Sequence, residues 1–121
     1  MAILVKRAYE PAADDDGPRV LVDRLWPRGL KKEDLRIELW LKEVAPSNEL
    51  RSWYGHDPAK WPEFKRRYFG ELNHQRDAVA TLLQFAESGT VTLLFSSREL
   101  QLNNAVALKE YLEQKLPIKP H

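Results

Sequence analysis

The sequence predicts a single α/β domain in which helices pack on a small, mostly parallel sheet of about four strands. The segment TVTLLF (Thr90–Phe95) is a run of β-branched and aliphatic residues without polar alternation, which is typical of a strand covered on both faces. From Trp61 to Ala86, apolar residues recur with helical spacing. The length of 121 residues suits one domain, so we predict a single domain over residues 1–121.

The first part of the chain predicts a strand followed by a polar loop. Ile3–Val5 begins the strand, which we expect to end near Arg7. Residues 10–18 (EPAADDDGP), with three consecutive aspartates, predict a solvated loop. A parallel crossover usually needs about a dozen residues or more. The first two strands therefore either pair as an antiparallel hairpin or are not adjacent in the sheet.

Two further strands are predicted before residue 45. Arg19–Arg24 predicts the second strand, and Pro27 and Gly29 end it. One helical turn is expected within residues 29–35. Apolar side chains then alternate with other residues over 37–41, and this period of two predicts a half-buried third strand.

The helical segments have recognisable boundaries. Ser47 or Asn48 is predicted to cap a short helix. Gly70 predicts a break or bend in the helical stretch over residues 61–86, so we expect one bent helix or two helices. A last helix is predicted over residues 105–112, where the apolar spacing is again helical.

Composition narrows the class of protein. A net charge of +1, 43% hydrophobic residues and 31% charged residues are ordinary for a globular protein. The absence of cysteine excludes disulfides, thiolate catalysis and cysteine-ligated metals. No apolar run approaches the roughly 18 residues of a membrane span, so we expect a cytoplasmic protein without a membrane partner. Three scattered histidines lack metal-ligand spacing, and no phosphate-binding glycine motif occurs, so no metal or cofactor is expected.

Four linked strings resemble a known bacterial family. They are VLVDRLWPRG (residues 20–29), WLKEVAPSNELRSWYGHD (40–57), the 61–68 helix and TLLFSS (92–97). Together they resemble the YeaO-like group of domains of unknown function, over almost the whole chain. The resemblance implies a small cytoplasmic α/β domain with no established reaction. Members carry Asn-His where this chain has Asn103-Asn104, so no role of a histidine is carried over to that position.

Charged and aromatic residues follow the second predicted strand, which is where open α/β sheets place ligands. An arginine offers a planar fork of donors that suits phosphate or carboxylate, and a tryptophan can stack on a planar group. A serine at a helix N-terminus suits an oxyanion. The candidates are Asp23, Arg24, Trp26, Arg28, Ser47, Arg51 and His56.

These residues predict a protein that binds, and that could act on, an anionic small ligand such as a nucleotide, a phosphorylated metabolite or a carboxylate. The arginines would hold the anion, Trp26 would stack, and Asp23 would orient an arginine. If a reaction occurs, His56 would transfer a proton. The sequence leaves open whether the protein is an enzyme, and the alternative is a structural network of ion pairs.

Ser96, Ser97 and Asn103 follow the predicted central strand and are further candidates for ligand binding. The alternative is that these hydroxyls cap the next helix. No glycines of a nucleophile elbow surround the serines, which argues against serine hydrolysis.

Two other functional classes stay open. The basic and aromatic stretch Lys60–Arg67 could bind nucleic acid, although its aromatics fall at core spacing and favour a solvated helix face. A protein-interaction module without a ligand would show a large exposed apolar patch. The sequence does not predict an oligomeric state.

Overall fold

A four-stranded parallel sheet organises the molecule, and a computed structural model describes it over residues 2–116. The strands are β1 (Ala2–Arg7), β2 (Arg19–Leu21), β3 (Leu39–Trp40) and β4 (Thr90–Phe95). They lie in the order β1-β4-β2-β3, and every neighbouring pair is parallel. This arrangement confirms the predicted α/β fold. Because β4 lies between β1 and β2, the first two strands are not adjacent, which is one of the two predicted alternatives.

Five helices surround this sheet in the described part of the chain. They are α1 (Lys32–Leu35), α2 (Asn48–Tyr54), α3 (Trp61–Leu72), α4 (Arg76–Ser88) and α5 (Asn104–Glu113), with 3-10 turns at Asp14–Asp16, Lys42–Val44 and Pro58–Lys60. Helices α4 and α5 pack directly on β1 and β4, whereas α3 packs against α2 and α5. Between residues 2 and 116, no helix is both long enough and apolar enough to cross a membrane.

The two faces of the sheet are covered unequally. The face beneath α4 and α5 contributes Val20, Val91 and Leu93 to the main core, which extends into the helices. On the opposite face, Leu21 and Leu94 belong to a smaller cluster, which is completed by α1 and the loops around it. Residues 91–95 of β4 are all buried, so the strand is covered on both faces, as its unbroken apolar run predicts.

Several predicted boundaries are wrong by a few residues. The ladder of β2 ends at Leu21, two residues into the apolar run of the predicted strand, and β3 is a two-residue strand within the predicted 37–41. The predicted helical stretch forms two helices, which is one of the two expected alternatives, but Gly70 lies inside α3 and the break follows Leu72. An exposed glycine in a helix costs only about 1 kcal/mol, which the packing of neighbouring residues can offset.

The aspartate-rich loop contains a buried ion-pair cluster, defined by Lys6, Asp16 and Arg19. Asp16 is 2% exposed, contrary to the predicted solvated loop, and its carboxylate lies 2.5 Å from Arg19 Nη1 and 3.1 Å from Lys6 Nζ. Burial alone raises the pKa of Asp16, but the Ala13 N–H, Lys6 and Arg19 outweigh it and leave that pKa below its usual value. We call this the Asp16 cluster.

Candidate ligand-binding cleft

A cleft of about 530 Å³ opens where the strands end. It lies between the segment after β2, the loop and helix around α2, and the connection from β4 to α5. Nine of the ten residues proposed from the sequence line it, namely Asp23, Arg24, Trp26, Arg28, Arg51, His56, Ser96, Ser97 and Asn103. The tenth, Ser47, is not among the lining residues. The structure thus brings together the β2 exit, the α2 region and the turn that carries His56.

Four arginines dominate the electrostatics of the cleft. Arg24 and Arg28 follow β2, Arg51 lies on α2, and Arg98 follows β4. Within residues 2–116, none of them forms an ion pair. Asp23 is the one carboxylate among the lining residues, so the four arginines and Asp23 together carry a charge of +3. The cleft is therefore strongly basic although the whole chain carries only +1.

Arg24 is the most enclosed donor of this set. Its Nη2 donates to the Pro46 carbonyl at 3.3 Å, a long contact. Its Nε is buried and has no hydrogen-bond partner in the described structure. A guanidinium has five N–H donors, so most of the donors of Arg24 have no partner among the described residues.

Asp23 joins three segments through its carboxylate. Oδ2 accepts hydrogen bonds from the Ser96 backbone N–H and from Ser96 Oγ, both at 2.8 Å, and Oδ1 accepts from Asn104 Nδ2 at 3.1 Å. Asn104 also donates to the Val22 carbonyl at 3.1 Å. No arginine is among these partners, so the described contacts give no support to the predicted role of Asp23 in orienting an arginine. Asp23 instead fixes the exits of β2 and β4 and the start of α5.

Arg7, the last residue of β1, holds the loop after β4 through its guanidinium group. Its Nε and Nη2 donate to the carbonyls of Ser97 and Ser96, both at 2.9 Å. Ser97 Oγ accepts from the Glu99 N–H at 3.0 Å, a local turn contact. The cap of α5 is the Asn103 side chain, not a serine hydroxyl. Asn103 reaches the position because the serines lie too far upstream of the helix.

His56 lies on the exposed rim of the cleft. Gly55 and His56 both adopt left-handed backbone conformations, with φ of 53° and 57°, and such a conformation is uncommon for a residue other than glycine. The His56 ring lies 6.0 Å from that of Tyr54. Among the described residues, no side-chain hydrogen bond orients the imidazole. The structure therefore places His56 at the cleft, and its role in proton transfer stays a prediction.

Ser47 has a structural role instead. Its Oγ accepts from the Leu50 N–H at 3.1 Å and caps α2, as the sequence predicts. The Ser47 N–H and Oγ–H donate to the Glu71 carboxylate at 2.9 and 2.6 Å. The start of α2 is therefore already occupied by a carboxylate from α3, a long-range contact that leaves no trace in the local sequence.

Aromatic rings that pack against other rings line part of the cleft. Trp26 lies edge-on to Trp40 at 5.5 Å between centroids, and its Nε1 donates to the Leu30 carbonyl at 2.7 Å. Tyr54 and Phe64 stack at 4.4 Å. These contacts fix the rings before any ligand arrives, so binding would cost little side-chain entropy.

Nine lining residues are absent from the predicted set, and four of them bear on the site: Tyr9, Leu25, Arg98 and Asn104. Arg98 and Asn104 flank the predicted residues 96–97 and 103, so their position beside a strand end was the available signal. Tyr9 comes from the distant β1 exit and donates its hydroxyl to the Arg28 carbonyl at 2.8 Å. No local pattern marks Tyr9, because only the β1-β4-β2 strand order brings it here.

The fold and the cleft define a small α/β protein with a basic pocket at its strand ends, and comparison with known proteins places it in a family. A family model described as the inactive DUF488-N3 subclade (DUF488-N3i) matches residues 2–120. An uncharacterized protein of Mycobacterium tuberculosis (strain H37Rv) is 44% identical over 110 residues, which cover 91% of this chain and 92% of the relative.

The uncharacterized protein YeaO of Escherichia coli (strain K12) is 40% identical over 112 residues, 93% of this chain and 97% of the relative. The chain belongs to the DUF488-N3i family, and the predicted YeaO-like membership is confirmed. No solved structure matches the chain significantly.

Proposed function

We propose that the protein binds an anionic small molecule, such as a nucleotide, a phosphorylated metabolite or a carboxylate, in the cleft at the strand ends. One observation carries this proposal. Four arginines from three separate segments line a single cleft, and none has a carboxylate partner among the described residues. Guanidinium groups bind phosphate and carboxylate through paired, charge-assisted hydrogen bonds. A ligand anion would supply the missing acceptors.

Binding without turnover is the version of this function that the contacts support. Both oxygens of the Asp23 carboxylate accept hydrogen bonds from Ser96 and Asn104, so its described contacts support a structural role. His56 has no orienting partner in the part of the chain that the structure describes. The description of the matching family as inactive agrees with a binding role.

The basic face of α3 gives little support to the nucleic-acid alternative. Arg66 and Arg67 both pair with Glu63, at 2.6 and 2.8 Å, and together they lower the pKa of Glu63 to about 2. Lys65 pairs with Glu110 at 2.9 Å. Because these cations are paired with carboxylates of the same molecule, their electrostatic attraction for a polyanion is weaker. The cleft arginines differ in having no such partners.

Titration calorimetry of the full chain with inorganic phosphate at low salt tests the proposal. We expect saturable binding by the wild type. Arg51→Ala removes an exposed side chain whose described hydrogen bond is a 3.3 Å contact with Asn48, so the fold should be unaffected. Losing one charge-assisted contact, worth about 1.5 kcal/mol or more, should weaken binding about tenfold. Arg76→Ala, an exposed arginine outside this cleft, is the matched control and should bind as the wild type does.

Two results would contradict the proposal. One is the absence of saturable phosphate binding at low ionic strength, where exposed charges are least screened. The other is an equal loss of affinity in Arg51→Ala and Arg76→Ala, because that pattern would indicate a diffuse effect of net charge.

A further inference from the structure

The charge of the cleft favours a ligand with two negative charges. The lining carries four guanidinium groups and one carboxylate, and that carboxylate is held by Ser96 and Asn104. A single carboxylate ligand would leave most of this positive charge unmatched. A phosphate monoester carries about −1.5 to −2 at pH 7 and offers three strong acceptor oxygens. It therefore matches several arginines at once, including the donors of Arg24 that have no described partner.

The rim of the cleft also carries apolar surface that the protein does not cover. Leu25 is 68% exposed, more than any other large apolar side chain described. It lines the cleft directly between Arg24 and Trp26 in the chain. Trp26 is half-buried and braced against Trp40. Apolar surface beside arginines suits a ligand with an apolar, planar part next to its anion.

The size of the cleft also favours a ligand larger than inorganic phosphate. Its volume of about 530 Å³ lies within the range of about 300–1,000 Å³ that is typical of sites for small organic ligands. An inorganic phosphate would contact the arginines and leave the side chains of Trp26 and Leu25 without a ligand contact. A larger molecule could reach both at once.

We infer that the ligand is a phosphate monoester of a planar, ring-bearing molecule, of which a nucleoside monophosphate is one example. The arginines hold the phosphate, and Leu25 and Trp26 contact the ring. This inference rests on the proposed function and deepens it, because it names the class of the anion. It assigns Leu25 a role in specificity, as the side chain that distinguishes an organic phosphate from the free ion.

Calorimetric titration with two probes, phenyl phosphate and inorganic phosphate, tests the inference on the full chain. We expect phenyl phosphate to bind at least about tenfold more tightly, since its ring removes apolar surface from water. Leu25→Asn should reduce the ratio of the two affinities about fivefold, the effect of losing about 40 Å² of apolar contact. Leu100→Asn is the matched control, because Leu100 is 61% exposed and is not among the cleft residues. It should leave the ratio as in the wild type.

The results separate the two proposals. If both probes bind equally, or if Leu25→Asn and Leu100→Asn change the ratio alike, the inference about the ring is wrong. Phosphate binding that depends on Arg51 would still uphold the proposed function in that case. If neither probe binds, both proposals are wrong.

Discussion

Replacing Asp23 with alanine removes the carboxylate that joins three segments at the base of the cleft. The native carboxylate accepts two hydrogen bonds from Ser96 and one from Asn104, at 2.8, 2.8 and 3.1 Å. These groups are partly buried, so each bond should contribute about 1 kcal/mol after competition with water. Asp23→Ala should therefore lower the free energy of unfolding by about 3 kcal/mol, a large share of the roughly 5–15 kcal/mol that a domain has.

Asp23→Asn removes the negative charge and keeps the shape of the side chain, so it tests how much of the stability comes from the hydrogen bonds. The asparagine oxygen can still accept from both Ser96 donors, but its NH2 group would then face Asn104 Nδ2, another donor. About one bond is lost, so we expect a cost of about 1 kcal/mol.

Urea denaturation followed by circular dichroism measures these differences. Asp15→Ala is the control, because Asp15 is exposed and makes no described hydrogen bond, and it should stay within about 0.5 kcal/mol of the wild type. The reasoning is refuted if Asp23→Ala is as stable as Asp15→Ala, or if Asp23→Asn is the less stable of the two Asp23 variants.

Three further changes test other parts of the structure. Gly17 has φ of +64°, and a Cβ there would lie 2.1 Å from the Thr90 carbonyl oxygen, so Gly17→Ala should cost at least about 3 kcal/mol in a thermal melt; an unchanged midpoint would contradict this. The lowered pKa of Asp16 means that its ion pairs stabilise the fold above the unfolded pKa of about 3.9 and lose this effect as pH falls through the lower folded value. The stability difference between wild type and Asp16→Asn, measured with urea from pH 6 to pH 3, should accordingly shrink towards the acid end, and a constant difference would be the contrary result. Ser47→Ala should cost about 1 kcal/mol or more by removing the α2 cap and a bond to Glu71, while phosphate affinity measured by calorimetry stays unchanged; a loss of affinity would place Ser47 in the binding site after all.

The elements of the fold were predictable because their signals are local. The unbroken apolar run of Thr90–Phe95 predicts a strand buried on both faces, and the structure shows it. Strand order was not predictable, because β4 pairs with β1 and β2, which lie about 70 or more residues away in the chain. The length of β3 depends on its pairing with Val20 and Leu21 and not on its own alternating pattern. The buried Asp16 carboxylate is paired with Arg19, Lys6 and the Ala13 N–H, whereas composition alone indicates a solvated loop.

The location of the candidate site was predictable, because its residues directly follow the predicted strands. Charged residues after β2 and serines after β4 meet because the carboxyl ends of parallel strands share one edge of a sheet. Individual roles were less predictable. Asp23 could have paired with any nearby arginine, and only the approach of Ser96 and Asn104 decides its partners. Ser47 has the right chemistry for an oxyanion, but Glu71, 24 residues away, already fills that position.

The convergence of the four cleft arginines on one anion is the claim on which the functional account depends. Heteronuclear NMR of the arginine Nε–H groups during titration with inorganic phosphate tests it directly. We predict saturable shifts, with one common affinity, for the signals of Arg24, Arg28, Arg51 and Arg98, while those of Arg66 and Arg76 stay in place. Shifts confined to Arg66 and its neighbours on α3, or shifts that do not saturate, would contradict the account.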